Sequence, residues 1–341
     1  MTHTPPGLRA VLIALVLTAF AGAARADLAP SGDWPSGAAR GERVPVESAN
    51  PFSLVDVGAA DADPVAADVT FYPAAGASAA HPAPAVILLH GAGGVSDRRE
   101  GRYAREFAAQ GVAVAVIDVF AARGGGRFIE RLMNTTEAMA LSDAFATLDW
   151  LAARPDVDGA RVALIGFSYG GMSSVYSAYR QVVDTYRPAN RFAAHVAFYG
   201  PCIARFEDPT TTGAPILMLW GDEDAIMDPA ACETLAGDLR RGGSDVGIRR
   251  YDARHRWDGA GRSWRAPVHI ADCRFNVGTD GTVRDTRTML EMTNAAMRAT
   301  ILAFCSNRDG YLIGGDEAVR RQSNAALAQF LNPILFPDRD T

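Results

Sequence analysis

The apolar run Arg161-Val162-Ala163-Leu164-Ile165 feeds directly into Gly166-Phe167-Ser168-Tyr169-Gly170, and a helix-competent stretch from Gly171 to Tyr179 follows. The four apolar residues after Arg161 suit a buried parallel strand. Strand, G-x-S-x-G, then helix is the context that turns the pentapeptide into a nucleophile elbow, a sharp turn that lifts a serine hydroxyl above a sheet. Glycines two before and two after the serine let strand and helix approach without Cβ clashes. Outside such a context the same pentapeptide is an ordinary strand-to-helix turn.

The pattern around the elbow fixes the fold class. Strands are expected at Asp68–Tyr72 (an early edge strand), Val86–Leu89, Val112–Asp118, Arg161–Ile165, Ala194–Tyr199, Pro215–Trp220 and Val246–Tyr251. Helices are expected at Arg102–Gln110, closed by Gly111, and at Thr136–Ala153 and Pro229–Arg241. This alternation predicts an α/β fold, a mostly parallel central sheet with helices on both faces. Residues 27 to about 51, rich in Ala, Gly, Ser and Pro, read as an extended lead-in. After Tyr251 the chain is longer than the sheet requires. Asn276–Val283 reads as a hairpin around Asp280-Gly281, and helices are expected at about Thr286–Cys305 and Asp316–Leu331. The organisation is thus a signal peptide at 1–26 and one domain at 27–341 with a C-terminal helical extension.

The leader reading rests on Arg9, the apolar run Ala10–Phe20 and the small-x-small site Ala24-Arg25-Ala26, with cleavage after Ala26. The run is too short to span a bilayer, so no membrane anchor is expected after cleavage and the protein is read as periplasmic or secreted. Removing Arg9 and Arg25 takes the net charge from -6 to -8. An acidic chain offers no electrostatic footing for nucleic acid. Every one of the 33 basic residues is arginine. That excludes P-loop, Schiff-base and Ser-Lys chemistry. Four cysteines allow three pairings. Cys202 with Cys232 and Cys273 with Cys305, each close in sequence, are the favoured ones. No metal-ligand spacing occurs, and neither a metal nor another cofactor is expected.

Functional groups of a parallel α/β sheet gather at the carboxyl ends of its strands. His90-Gly91-Ala92-Gly93-Gly94 follows one of them. Its exposed N–H groups suit half of an oxyanion hole at Ala92 (Gly91 in reserve), with the N–H of Tyr169 as the other half. A dinucleotide-binding turn is the competing reading, but Ser96 stands where that fingerprint needs its third glycine. Another strand ends in Gly221-Asp222-Glu223-Asp224, with Asp228 just before a helix starting at Pro229. Three aspartates compete there. Asp224 is read as the catalytic acid, Asp222 as a turn residue and Asp228 as a helix cap. Of six histidines, His3 leaves with the leader and His81 lies in a proline-rich loop. His90 is read as structural and His195 as a core residue. His255 follows the next strand and is read as the base, ahead of His269. Ser168, Asp224, His255 is the nucleophile-acid-base order of α/β-hydrolases.

These residues carry a resemblance. Gly166-Phe167-Ser168-Tyr169-Gly170-Gly171, Phe198-Tyr199-Gly200, Gly221-x-x-Asp224 and Ala253-Arg254-His255 resemble the dienelactone hydrolase family of the α/β-hydrolase fold. The resemblance covers about Val86 to His255. It implies hydrolysis of a small-molecule ester or lactone through an acyl-enzyme. Ser168 stands where the founding enzymes carry cysteine, and the turn at His90–Gly94 lacks their glutamate. A serine esterase is therefore expected, with Arg123 meeting an anionic substrate group and Tyr199 and Trp257 lining the acyl pocket. A prolyl-oligopeptidase-type peptidase and a non-catalytic binding protein on the same fold are the alternatives.

Overall fold

The computed structural model describes residues 1, 27–58, 63–259 and 263–337. The leader reading at 1–26 therefore falls outside the described residues, apart from Met1. In chain order the elements are β1 (Glu42–Ala49), β2 (Pro64–Tyr72), β3 (Ala83–Leu89), α1 (Arg102–Ala109), β4 (Ala113–Asp118), α2 (Phe128–Asn134), α3 (Glu137–Ala152), β5 (Val157–Phe167), α4 (Tyr169–Tyr176), α5 (Arg180–Tyr186), β6 (Ala194–Phe198), β7 (Ala204–Phe206), β8 (Ile216–Gly221), α6 (Pro229–Arg241) and β9 (Val246–Tyr251). Beyond them come β10 (Trp264–Ala266), β11 (Phe275–Val277), β12 (Val283–Asp285), α7 (Ala295–Cys305), β13 (Tyr311–Ile313) and α8 (Glu317–Leu335).

Eight strands form the main sheet in the order β1-β2-β4-β3-β5-β6-β8-β9. Strands β1, β2 and β4 pair antiparallel, and the run from β4 through β9 is parallel. Central strands are apolar on both faces: every residue of β3, β6 and β8 is buried. Covering both faces with helices is what makes such continuous apolar runs stable. Helix α3 is fixed at its start by Thr136, whose hydroxyl accepts from the Met139 N–H, and α6 by Asp228, which accepts from Ala230 and Ala231 with Pro229 at the first helical position.

Three differences from the sequence reading have physical causes. The segment read as a lead-in contains β1, which lies outside β2 and makes β2 an inner strand. Only Val46 of β1 is buried, and Pro45 sits within it, so its periodicity is weak, as an edge strand allows. The helix expected from Thr286 starts only at Ala295, capped by Asn294; the preceding residues belong to a turn in which Asp285 accepts from Thr288. Helices α2 and α5, of seven residues each, and the three-residue β7 are too short to show a period in the sequence. The hairpin at Asp280-Gly281 is formed by β11 and β12, with Gly281 at φ 86. Both favoured disulfides are present, Cys202–Cys232 and Cys273–Cys305. No helix among the described residues is long and apolar enough to cross a membrane.

His195, on β6, is a core residue with a consequence for acid stability. Ser177 Oγ donates to the Ser174 carbonyl, so its lone pair receives the Nδ1–H of His195. Nε2 is buried with no partner among the described residues. A second ring proton would meet no acceptor, and burial pushes the pKa down to about 4. The unfolded chain binds this proton near pH 6.5 and the folded chain does not. Stability through this residue is therefore complete above pH 6.5 and falls as pH drops toward 4, by about 3 kcal/mol. Urea unfolding at pH 7 and pH 4.5 should show this slope in the native protein and a shallower one in His195→Gln.

Candidate active site

Strand β5 ends at Phe167 and α4 begins at Tyr169, so Ser168 alone makes the turn. It does so at φ 53, ψ -110, backbone angles that non-glycine residues rarely adopt. The flanking glycines allow this. A Cβ on Gly166 would lie 1.9 Å from the Gly170 carbonyl oxygen, and one on Gly170 would lie 2.4 Å from that of Leu89. The turn is held by the Ser168 N–H, which donates to the Phe198 carbonyl at 2.8 Å, and the Gly170 N–H, which donates to His90 at 3.1 Å.

Three side chains from three strand ends meet above the sheet. His255 Nε2 lies 3.0 Å from Ser168 Oγ, and its Nδ1 lies 2.7 Å from Asp224 Oδ2. Asp224 Oδ1 accepts the Ile226 N–H at 3.1 Å, which fixes the carboxylate plane. The Asp224 side chain is fully buried and the His255 ring nearly so. With Nδ1–H given to Asp224, Nε2 carries the lone pair and can take the serine proton. The other two aspartates do different work. Asp222 is exposed and pairs with Arg250, while Asp228 caps α6 and pairs with Arg274.

Tyr169 is the first residue of α4, so its N–H is among the donors that a helix leaves unpaired. Ala92 lines the same cavity as Ser168 and Tyr169. Buried His90 sets the Gly91–Ala92 peptide: its Nδ1–H donates to the Gly91 carbonyl at 2.8 Å, and the Gly94 N–H donates to the same oxygen at 2.9 Å. In a trans peptide the N–H points opposite to the carbonyl, so pinning Gly91 O also aims the Ala92 N–H. His90 Nε2 accepts the Val119 N–H at 3.1 Å. Acceptance at Nε2 requires the neutral ring, and burial holds its pKa below the usual histidine value. His90→Leu would leave the Val119 N–H unpaired and the Gly91 carbonyl held by the Gly94 N–H alone. The expected outcome is a fall in kcat, bounded by the 10²–10³-fold or so that loss of one oxyanion donor costs, with KM little changed in steady-state assays.

The three residues expected to meet substrate stand elsewhere. The Arg123 side chain is buried and doubly bonded to Asp143, at 2.7 and 3.1 Å, with further bonds to Asn50 and the Val119 carbonyl. A guanidinium so occupied has nothing to offer an anion, and its loop position gave no sign of the partner 20 residues ahead. Tyr199 lies fully buried behind His255. Its ring meets the His255 ring edge-on at 4.6 Å, and its hydroxyl donates to Asp258 Oδ1 at 2.5 Å. Burial pushes the Tyr199 phenol and the Asp258 carboxyl up. Trp257 packs on Tyr199 at 4.9 Å and donates its Nε1–H to Ser323 on α8. Tyr199 and Trp257 thus support the His255 ring rather than line a pocket. His269, the alternative base, lines the cavity beside Tyr311, with ring centroids 6.1 Å apart.

The cavity itself has a volume of about 650 Å³ and opens on Ser168. Its walls come from segments far apart in sequence: Met172 and Tyr176 on α4, Leu132 on α2, Phe206 on β7, Val277 on β11 and Leu302 on α7. The chain beyond Tyr251, in excess of what the sheet needs, supplies much of this enclosure. The Cys273–Cys305 disulfide ties the end of α7 to the segment before β11. Sequence reasoning missed all of these residues. The one local signal was Tyr169, Met172 and Tyr176, spaced to share a face of α4.

The model of the dienelactone hydrolase family matches residues 58–265. No curated protein matches the chain. Among solved structures, a dienelactone hydrolase-like promiscuous phosphotriesterase from metagenomic libraries is 22% identical, with a TM-score of 0.45 over 64% of this chain and 84% of that one. A thermophilic esterase of the planctomycete Thermogutta terrifontis is 17% identical, with a TM-score of 0.47 over 63% of this chain and 85% of that one. Since the family model spans more than half its length, the chain belongs to the dienelactone hydrolase family.

Proposed function

We propose that this protein hydrolyses carboxylic esters through an acyl-enzyme formed on Ser168. The observation that carries the reading is the relay Ser168 Oγ, His255 Nε2, His255 Nδ1, Asp224 Oδ2, with links of 3.0 and 2.7 Å. Ser168 Oγ attacks the ester carbonyl as His255 takes its proton. The Ala92 and Tyr169 N–H groups hold the oxyanion of the tetrahedral intermediate. Its collapse expels the alcohol, protonated by His255, and leaves Ser168 acylated. His255 then deprotonates a water that releases the acid. Asp224 orients the ring and offsets its charge.

The two disulfides favour an oxidising compartment, in keeping with the leader read at 1–26 and a periplasmic or secreted location. A fluorophosphonate probe tests the chemistry directly. Peptide mapping should find the adduct on Ser168, and His255→Ala should label far more slowly. A folded protein that takes up no probe would overturn the reading.

A further inference from the structure

The cavity on Ser168 is larger, and far more apolar, than a small polar lactone requires. At a water's share of about 30 Å³, the 650 Å³ chamber has room for roughly twenty non-hydrogen atoms. Met172 and Tyr176 lie on the same α4 face as Tyr169 and continue the chamber away from the nucleophile. At 1.5 Å per residue, Tyr176 stands about 10 Å farther along the helix than Tyr169. Beyond it lie Phe206 and Val277, neighbours across the β7–β11 pair. The one buried cation of the wall is already neutralised. Arg298 is paired with Glu137 at 3.0 and 3.2 Å and bonded to the Leu132 carbonyl. Arg123, expected to receive an anionic group, is committed to Asp143. Arg308, which is exposed, also lines the chamber; a charged substrate arm drawn into the buried part would lose its hydration and find the buried cation there, Arg298, already paired.

We propose that the substrate is an ester with one long or bulky hydrocarbon arm, which lies along α4 between β7, β11 and α7 while its carbonyl sits at Ser168. This rests on the ester-hydrolase reading above. The preference comes from burial of methylenes that a short ester lacks, so it grows with arm length until the chamber is full.

The test uses two series on the full-length mature protein. In p-nitrophenyl acetate, butyrate, decanoate and palmitate the acyl arm grows; in ethyl, hexyl and decyl acetate the alcohol arm grows. We expect kcat/KM to rise by about 30-fold or more from shortest to optimum in one series, and this series identifies the arm. Ala299, half-buried on α7, lines the chamber at some distance in sequence from the catalytic groups, and half-buried Val283 on β12 lines it too. In Ala299→Trp and Val283→Trp the long-arm advantage should shrink to about threefold or less. Labelling of Ser168 by a small fluorophosphonate establishes that each variant keeps an assembled nucleophile, and the ratio of long-arm to acetate kcat/KM is the quantity compared with the native protein. If the native protein labels and cleaves short esters but gains nothing from a longer arm in either series, the chamber assignment is wrong and the esterase reading stands. Wild-type specificity that survives in both filled, folded variants would overturn it equally. Absence of labelling in the native protein would instead sink the esterase reading itself.

Discussion

Ser168→Ala is expected to lower ester turnover by roughly 10⁶-fold, the scale at which a triad loses its nucleophile. Stability should change little, because alanine keeps the Cβ and the backbone bonds that hold the turn, the Ser168 N–H to Phe198 and the Met172 N–H to residue 168. Asp224→Asn is the more informative partner. Asparagine preserves the shape and still accepts the Ile226 N–H through one oxygen. Its amide, however, presents N–H to His255 Nδ1, which favours the tautomer with a proton on Nε2. The lone pair facing Ser168 is then gone, and a loss of about 10⁴-fold in kcat follows. The effects are not additive, since the three groups act as one unit. Combining Ser168→Ala with Asp224→Asn should cost no more than Ser168→Ala alone. Stopped or initial-rate kinetics on one activated ester measure all three. A loss below about tenfold in Ser168→Ala would mean that another group attacks the carbonyl.

What could be read from the sequence follows from where the information is local. Strands β3, β6 and β8 and the Val162–Phe167 part of β5 are buried on both faces, and their apolar runs are visible without knowledge of partners. The edge strand β1 is not visible, because one buried side chain in eight residues leaves no period. Ser168, Asp224 and His255 each stand at or just beyond a strand end, so topology alone brings them to one rim. The cavity walls obey no such rule. Leu132, Phe206, Val277 and Leu302 come from short helices and strands whose place is fixed by tertiary contacts, including a disulfide and the Arg298–Glu137 pair. Arg123 shows the same limit from the other side. An arginine in a glycine-rich loop looks available to solvent or substrate, and only its position against α3 reveals that it is spent.

Arg123→Leu should therefore damage the fold and not substrate recognition. Asp143 is fully buried, and besides Arg123 its carboxylate has the Ser48 hydroxyl at 2.7 Å. Removing the guanidinium strands a buried negative charge and also frees the Asn50 and Val119 contacts that join β1 and β4 to α3. Breaking a buried pair from one side typically costs about 3–5 kcal/mol, a large share of the roughly 5–15 kcal/mol that holds a domain together. The stranded carboxyl would have its folded-state pKa raised above the unfolded value by burial. Its penalty is then greatest at neutral pH and shrinks as pH falls through that raised pKa, when the folded protein takes up the proton. Urea midpoints for the native protein and Arg123→Leu should converge from pH 7 toward pH 5. Arg123→Leu with Asp143→Leu removes both charges and should recover most of the loss, since an apolar pair in the same space avoids the desolvation cost. An arginine that served substrate binding would behave oppositely: stability unchanged, KM raised, and no rescue by the second substitution.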